Sequence, residues 1–219
     1  MKPSRYIAIG DIHGCNRSLN TLLRRLEAYH DRTFIFIGDY IDRGPDSRSV
    51  AESLMQFSKQ VSCIFLRGNH EQMMLDARKT GDLQLWFLNG GITTLNSYEI
   101  KSIHDLPDDH LVFYSATRLW YDTPDYLFIH AGLKPELPVG VQLNDPDISK
   151  CALWQRDHLN TSVNWEKTVV FGHTPLQEPL VANQKIGIDT GCVYRTGNLG
   201  TLTAAILPEE SFIQQKNLD

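Results

Sequence analysis

Tyr6-Ile7-Ala8-Ile9-Gly10-Asp11-Ile12-His13-Gly14 is the stretch that decides how this chain reads. Four apolar residues stopped by a glycine fit a short buried strand. An acidic residue and an imidazole follow at once, in a loop with glycine at either end. The arrangement returns twice. Thr33 to Ile37 reads as a second strand and runs into Gly38-Asp39-Tyr40-Ile41-Asp42-Arg43-Gly44. Val61 to Leu66 reads as a third and runs into Arg67-Gly68-Asn69-His70-Glu71. Helical segments fill the gaps. Arg17 to Tyr29 carries Leu19, Leu22, Leu23 and Leu26 at helical spacing, and Ser47 to Phe57 is opened by Pro45 and Asp46. Glu71 to Lys79 is a third helix. This β-α-β-α-β-α order predicts an α/β fold with a parallel sheet.

Beyond residue 80 the pattern changes. Residues 82–111 hold Trp86, Phe87 and Leu88, then Asn89-Gly90-Gly91, and read as short helices forming a cap or insert. Strands are expected at 118–121, 126–129, 168–171, 185–188 and 201–207, punctuated by Gly, Pro and Asp. They suggest a second sheet packed on the first. There is no repeat, low-complexity tract or linker, so one domain over residues 1–219 is expected, with 209–219 as a mobile tail.

Composition excludes several functions. A net charge of −5 without a basic run argues against nucleic acid as a partner. No apolar run is long enough for a membrane span, and residues 6–9 are too short for the core of a signal peptide. We read the protein as cytoplasmic, a monomer, with no membrane partner. Cys15, Cys63, Cys151 and Cys192 are widely spaced, so free thiols in the core are expected rather than a zinc site. His30, His104, His110 and His158 lie outside the loops above and read as solvated. Of the four tryptophans, Trp154 stands apart because it lies two positions before Arg156.

The carboxyl ends of parallel strands lie together, at the edge where α/β folds bind ligands. Later strands add Phe128-Ile129-His130-Ala131-Gly132 and Phe171-Gly172-His173-Thr174. Two carboxylates, an amide and three imidazoles should therefore converge at one edge. Oxygen and nitrogen donors without thiolates suit Mn, Fe or Zn. A bridging carboxylate can hold two such ions about 3.5–4 Å apart and activate water between them.

These blocks resemble the phosphoprotein phosphatase family of metallophosphoesterases, whose pattern reads GD-x-HG, GD-x-x-DRG, GNHE, a histidine before small residues, and GH. Here they occupy residues 10–14, 38–44, 68–71, 130–132 and 172–174, in family order and across most of the chain. The resemblance implies a calcineurin-like sandwich of two central β-sheets flanked by helices, and a centre of two divalent metal ions, Mn²⁺ before Fe or Zn. It implies that Asp11 and His13 bind the first ion, that Asp39 bridges, and that Asn69, His130 and His173 bind the second. His70 would protonate the leaving oxygen, oriented by Asp42. Arg43 and Arg156, together with Asn69, would grip the phosphate. The implied mechanism is direct in-line attack on phosphorus by metal-bound hydroxide, without a phospho-enzyme. Arg67 reads equally as a phosphate contact or a structural ion pair, and Glu71 as a brace for the helix start.

Three functions fit unequally. Gly68-Asn69-His70-Glu71 is the form typical of protein-directed members, so a bacterial or phage-type phosphatase acting on phosphoserine, phosphothreonine or phosphotyrosine comes first. The alternative is a dinucleoside tetraphosphate hydrolase, acting on a phosphorylated small molecule. It is favoured by the short length and by Ile188-Asp189-Thr190-Gly191-Cys192-Val193, but those enzymes usually carry Asp at the position of Glu71. A non-catalytic metal-dependent binding module is disfavoured, since every catalytic position is filled.

Overall fold

The computed structural model describes residues 5–219. Among the described residues, ten strands form two five-stranded mixed sheets. In the first, β1 (Tyr6–Ile9), β2 (Thr33–Phe36) and β3 (Cys63–Phe65) run parallel, and β9 (Thr201–Leu207) and β10 (Ser211–Lys216) complete the order β10-β9-β1-β2-β3. In the second, β5 (Tyr126–Ile129), β6 (Thr168–Phe171) and β8 (Lys185–Gly187) run parallel, flanked by antiparallel β4 (Trp120–Asp122) and β7 (Leu180–Ala182). This is the calcineurin-like α/β sandwich.

Strand alternation builds the layers. Ile7 and Ile9 point to one side of β1, against Leu19, Leu22 and Leu23 of α1 (Asn16–Arg25) and Val50 and Leu54 of α2 (Ser47–Phe57). Tyr6 and Ala8 point to the other, where Ile35, Ile37, Phe128, Val170 and Ile186 fill the space between the sheets. The outer face of the second sheet packs Ile129, Val169 and Phe171 against Ile148, Ala152 and Trp165.

The remaining helices cover the edges. α3 (Asn69–Thr80) starts inside the third loop and ends on Gly81, whose left-handed backbone (φ 79°) suits glycine. α4 (Gln84–Leu88), α5 (Gly91–Ser97) and α6 (Asp108–Ser115) make up the middle segment. α7 (Val139–Gln142) and α8 (Ile148–Trp154) interrupt the second half, where the sequence suggested strands alone. The helix expected over 17–29 stops at Arg25 and gives way to a 3-10 turn at Glu27–Tyr29.

The segment expected to be a mobile tail carries a strand, β10. Ser211 to Lys216 pair with Ile206 to Thr201 of β9. Phe212 reaches the layer between the sheets and Ile213 the helix side, while the glutamines are half-buried, as an edge strand permits. Beyond it, Asp219 accepts hydrogen bonds from the N–H groups of Arg17 and Ser18 and from the Ser18 hydroxyl, at 2.8, 3.0 and 2.6 Å. The residue preceding α1, Cys15, caps nothing with its side chain. Asp219 therefore does for α1 what an N-cap carboxylate does.

Candidate metal centre and acid pair

The loops after β1, β2 and β6 deliver their side chains through an unusual backbone. His13, Asp39, Asp42, Arg43 and His173 all have φ between 46° and 70°, the left-handed region. For residues with a Cβ this costs about 1–2 kcal/mol each, and such strain gathers at functional sites. Two glycines make room for the carboxylates. A Cβ on Gly68 would lie 2.0 Å from Asp39 Oδ1, and one on Gly172 would lie 2.1 Å from Asp11 Oδ1.

The structure gathers these side chains in two overlapping triads, His13–Asp39–His70 and Asp39–His130–His173, with donor atoms within 4.8 Å of one another. Asp39 belongs to both. His13 Nδ1–H donates to the Ile41 carbonyl at 2.8 Å, which leaves its Nε2 lone pair 3.5 Å from Asp39 Oδ2, accepting from Arg43 Nη1 at 2.9 Å. His130 Nδ1–H donates to the Ile37 carbonyl at 3.1 Å. Its Nε2 lone pair then faces Asn69 Oδ1 at 3.0 Å and Asp39 Oδ1 at 3.5 Å. His173 Nδ1 lies 3.0 Å from the same Asn69 oxygen, and its buried Nε2 has no partner.

With its Nδ1–H committed to Ile37, the His130 Nε2 lone pair faces the Asn69 and Asp39 oxygens, and such acceptors repel. A cation among them reverses the sign. This donor set therefore fits a divalent metal, and its lack of sulfur matches Mn, Fe or Zn. Charge agrees. In the metal-free protein burial, then His70, hold the His13 imidazole down to about 3. Burial, then His130, hold His173 down to about 2, so both rings are neutral and ready to ligate. Burial would raise the Asp39 carboxyl, but the imidazoles around it, His130 first, hold it well below its ordinary range whenever they carry a proton, so Asp39 is the anion of the cluster.

Asp11 is placed differently from the other expected ligands. Both its oxygens accept from the His173 N–H, at 3.2 and 3.1 Å. It lies beside the triads and holds the turn that carries His173.

The acid pair is fully buried. His70 Nδ1–H donates to Asp42 Oδ2 at 2.7 Å. Its Nε2 has no hydrogen-bond partner and lies 4.0 Å from Asp39 Oδ2. Burial works against a charged ring, yet Asp39 and the Asp42 bond prevail, and the imidazole keeps its proton above its ordinary range. Asp42 is itself held by Trp86 Nε1 and by the Thr94 hydroxyl, at 2.9 and 2.6 Å. Both come from the middle segment, and no motif in it announced them.

Four other positions resolve. Glu71 is buried, and its carboxylate accepts from the backbone N–H groups of Gly68, Asp39 and Tyr40 at 2.9, 2.9 and 2.8 Å. It braces the second loop against the third and touches nothing outside the backbone. Among the described residues Arg67 makes no ion pair. It donates to the carbonyls of Ser115 and Thr117, the Thr117 hydroxyl and Gln72. Arg156 is exposed and donates to the Thr174 hydroxyl at 3.3 Å, next to His173. Trp154 is 42% exposed, edge-on to His173 with ring centres 5.9 Å apart.

His110 and His158, expected in solvent, are buried. His110 is hydrogen-bonded to the Tyr98 hydroxyl at 2.6 Å. His158 packs edge-on to Phe171 and beside Trp165 without a hydrogen-bond partner. All four cysteines are free.

A sandwich with a histidine- and aspartate-lined cleft at its strand ends defines a class, and comparison bears it out. Residues 4–203 match the calcineurin-like phosphoesterase family, and the chain belongs to it. It is a metal-dependent phosphoesterase, and the resemblance to phosphoprotein phosphatases holds. The asymmetrical bis(5'-nucleosyl)-tetraphosphatase PrpE of Oceanobacillus iheyensis is 30% identical, over 94% of this chain and 89% of its own. Serine/threonine-protein phosphatase 1 of Salmonella typhimurium is 31% identical, over 85% and 86%. A crystal structure assigned provisionally as a diadenosine tetraphosphatase superposes with a TM-score of 0.72 at 26% identity, over 100% of this chain and 96% of that one. No helix of the described residues is long and apolar enough to cross a membrane.

Proposed function

We propose that the chain hydrolyses dinucleoside polyphosphates unsymmetrically, at a centre of two divalent ions, Mn²⁺ before Fe or Zn. The observation that carries the substrate reading is that two guanidinium groups lie beside different triads. Arg43 lies against His13 in one triad, and Arg156 against Thr174 beside the other. One phosphoryl group needs a single such fork; a chain of phosphates can use both. Trp154, half-exposed beside His173, offers a face to a nucleobase. Relatives of nearly equal length bear the same activity in their names.

Glu71 had favoured a protein substrate. Its buried carboxylate meets only backbone N–H groups, so Glu or Asp at this position says little about what enters the cleft. Phosphoprotein remains a second reading because of the 31% identical serine/threonine phosphatase.

In this reading Asp39, shared by both triads, would hold both ions, with Asp11 and His13 contributing to one and Asn69, His130 and His173 to the other. Two divalent ions there supply Lewis acidity toward a phosphoryl oxygen and make a water acidic. Arg43 and Arg156 orient the phosphate chain and meet the charge that develops on it. His70, kept protonated by Asp42 and Asp39, aims its free Nε2 at the departing oxygen. The Trp86 and Thr94 bonds fix the Asp42 carboxylate and so the ring. The test is a rate comparison of Mn²⁺-replete enzyme on diadenosine tetraphosphate and on phosphoserine and phosphotyrosine peptides. Higher kcat/KM on the tetraphosphate, with unequal products, is expected. Higher kcat/KM on a phosphopeptide overturns the assignment.

A further inference from the structure

A cavity of about 270 Å³ lies between α3, α4 and the end of α8, and none of the triad residues lines it. Two indoles bound it and tie it to the cleft. Trp154 stands edge-on to His173, with ring centres 5.9 Å apart. Trp86 donates its ring N–H to Asp42, the partner of His70, at 2.9 Å. Met73 of α3 and Leu85 of α4 add apolar surface. Leu85 and Trp154 are both exposed, so two large apolar side chains face one opening beside the metal centre. An apolar cavity with a few placed polar groups is what a small-molecule site requires.

The polar wall is ordered. Arg67 Nη1 donates to Gln72 Oε1 at 3.1 Å, and Gln72 Nε2 donates to Asp76 Oδ1 at 3.0 Å. A guanidinium can only donate, which fixes the amide with its oxygen toward Arg67 and its NH₂ toward Asp76. Gln72 and Asp76 both line the cavity, and among the described residues Asp76 Oδ2 has no side-chain or backbone donor. A carboxylate is an acceptor only. The occupant that suits this wall brings an N–H donor on the edge of a flat aromatic body.

We infer that this cavity is a subsite for a nucleobase bearing an exocyclic amino group, stacked on Trp154 and donating that group to Asp76. This rests on the dinucleoside polyphosphate reading above, which supplies the phosphate chain that joins the base to the metal centre. The volume falls just below the range of about 300–1,000 Å³ that holds a drug-sized ligand, so it suits one base and leaves ribose and phosphates to the cleft. Adenine presents such an amino group. Hypoxanthine keeps the purine and puts a carbonyl in its place, which turns one acceptor on another. The Arg67–Gln72–Asp76 chain then has a use: it aims the carboxylate that reads the base.

The probes are adenosine monophosphate, inosine monophosphate and inorganic phosphate, used as competitive inhibitors of p-nitrophenyl phosphate hydrolysis by the Mn²⁺-replete enzyme. The adenosine nucleotide should bind at least about tenfold more tightly than the inosine nucleotide, the worth of one hydrogen bond to a charged acceptor. In Asp76→Asn that preference should disappear, with inhibition by inorganic phosphate unchanged. Trp154→Ala should weaken both nucleotides by about 5- to 150-fold, the range for lost base stacking. A Trp154 that merely braced His173 would weaken inorganic phosphate by the same factor. Equal inhibition by the two nucleotides in the parent, an undiminished preference in Asp76→Asn, or a Trp154→Ala loss shared by inorganic phosphate overturns the inference. A parent that keeps the adenosine preference but does not cleave diadenosine tetraphosphate leaves the subsite standing and overturns the dinucleoside polyphosphate reading alone.

Discussion

Replacing His70 with Asn separates the two roles its geometry allows. As an acid, it holds a proton on a ring whose Nδ1–H is fixed by Asp42 at 2.7 Å and whose Nε2 is free. As a ligand, it would use that same Nε2, since its donor atom falls within the first triad. Asn cannot deliver a proton at working pH, so the acid contribution, about 10²- to 10⁴-fold, is lost where the leaving oxygen is a basic alkoxide. This is about 3–5 kcal/mol of barrier. A phosphoserine peptide should therefore be turned over at least about 10²-fold more slowly. p-Nitrophenyl phosphate, whose phenolate leaves without a proton, should lose less than about tenfold. Diadenosine tetraphosphate should behave like the phenolate, because its leaving group is a weakly basic phosphate oxygen. Asp42→Asn should show the same ordering, and the double variant should be no worse than His70→Asn alone, since the two residues act as a unit. The assay is steady-state kcat/KM on the three substrates, with metal content measured by elemental analysis. Equal losses on all three, accompanied by loss of one ion per chain, would refute the acid role and make His70 a ligand.

Gly172→Ala should displace the Asp11 carboxylate, because the new Cβ would lie 2.1 Å from its oxygen. Loss of bound metal and at least about 10²-fold of activity are expected, and an unchanged metal content refutes the placement. Burial holds His158 down to about 4, so its neutral form is the folded one. Stability from this residue is complete above about pH 6.5, its ordinary value, and falls as pH drops from there toward 4, by up to about 3 kcal/mol. Urea titrations of His158→Phe should show that much less acid sensitivity over this window, and curves parallel to the parent's would refute it. Asp219→Ala removes the cap of α1 and should lower stability by about 1–2 kcal/mol, with faster hydrogen exchange at Arg17 and Ser18. Unchanged exchange there would show the cap to be idle.

The parallel core of both sheets was legible because β1, β2, β5 and β6 are buried on both faces and so appear as unbroken apolar runs. The site residues followed from their position at the ends of those runs. What escaped the sequence has no such local signature. Ser211 to Lys216 is polar because it is an edge strand, and only its partner β9 makes it one. Trp86 and Thr94 reach Asp42 across 44 and 52 residues, a contact made by tertiary packing and not by spacing. Glu71 was legible as a brace, but not that it ties together two loops rather than one. His158 is apolar in its surroundings and polar in its chemistry, and composition alone assigns it to solvent.

The strand order carries a consequence for how the enzyme comes into being. β1, which supports Asp11 and His13, lies between β2 and β9. Every expected metal ligand, from Asp11 to His173, has been synthesised before the ribosome reaches Thr201, yet β1 still lacks one neighbour. A nascent chain at that stage holds all the ligands and an unfinished platform for them. Residues 201–219 contribute no expected ligand, but β9 completes the pairing of β1, so stable metal capture is expected only once these residues have emerged and paired.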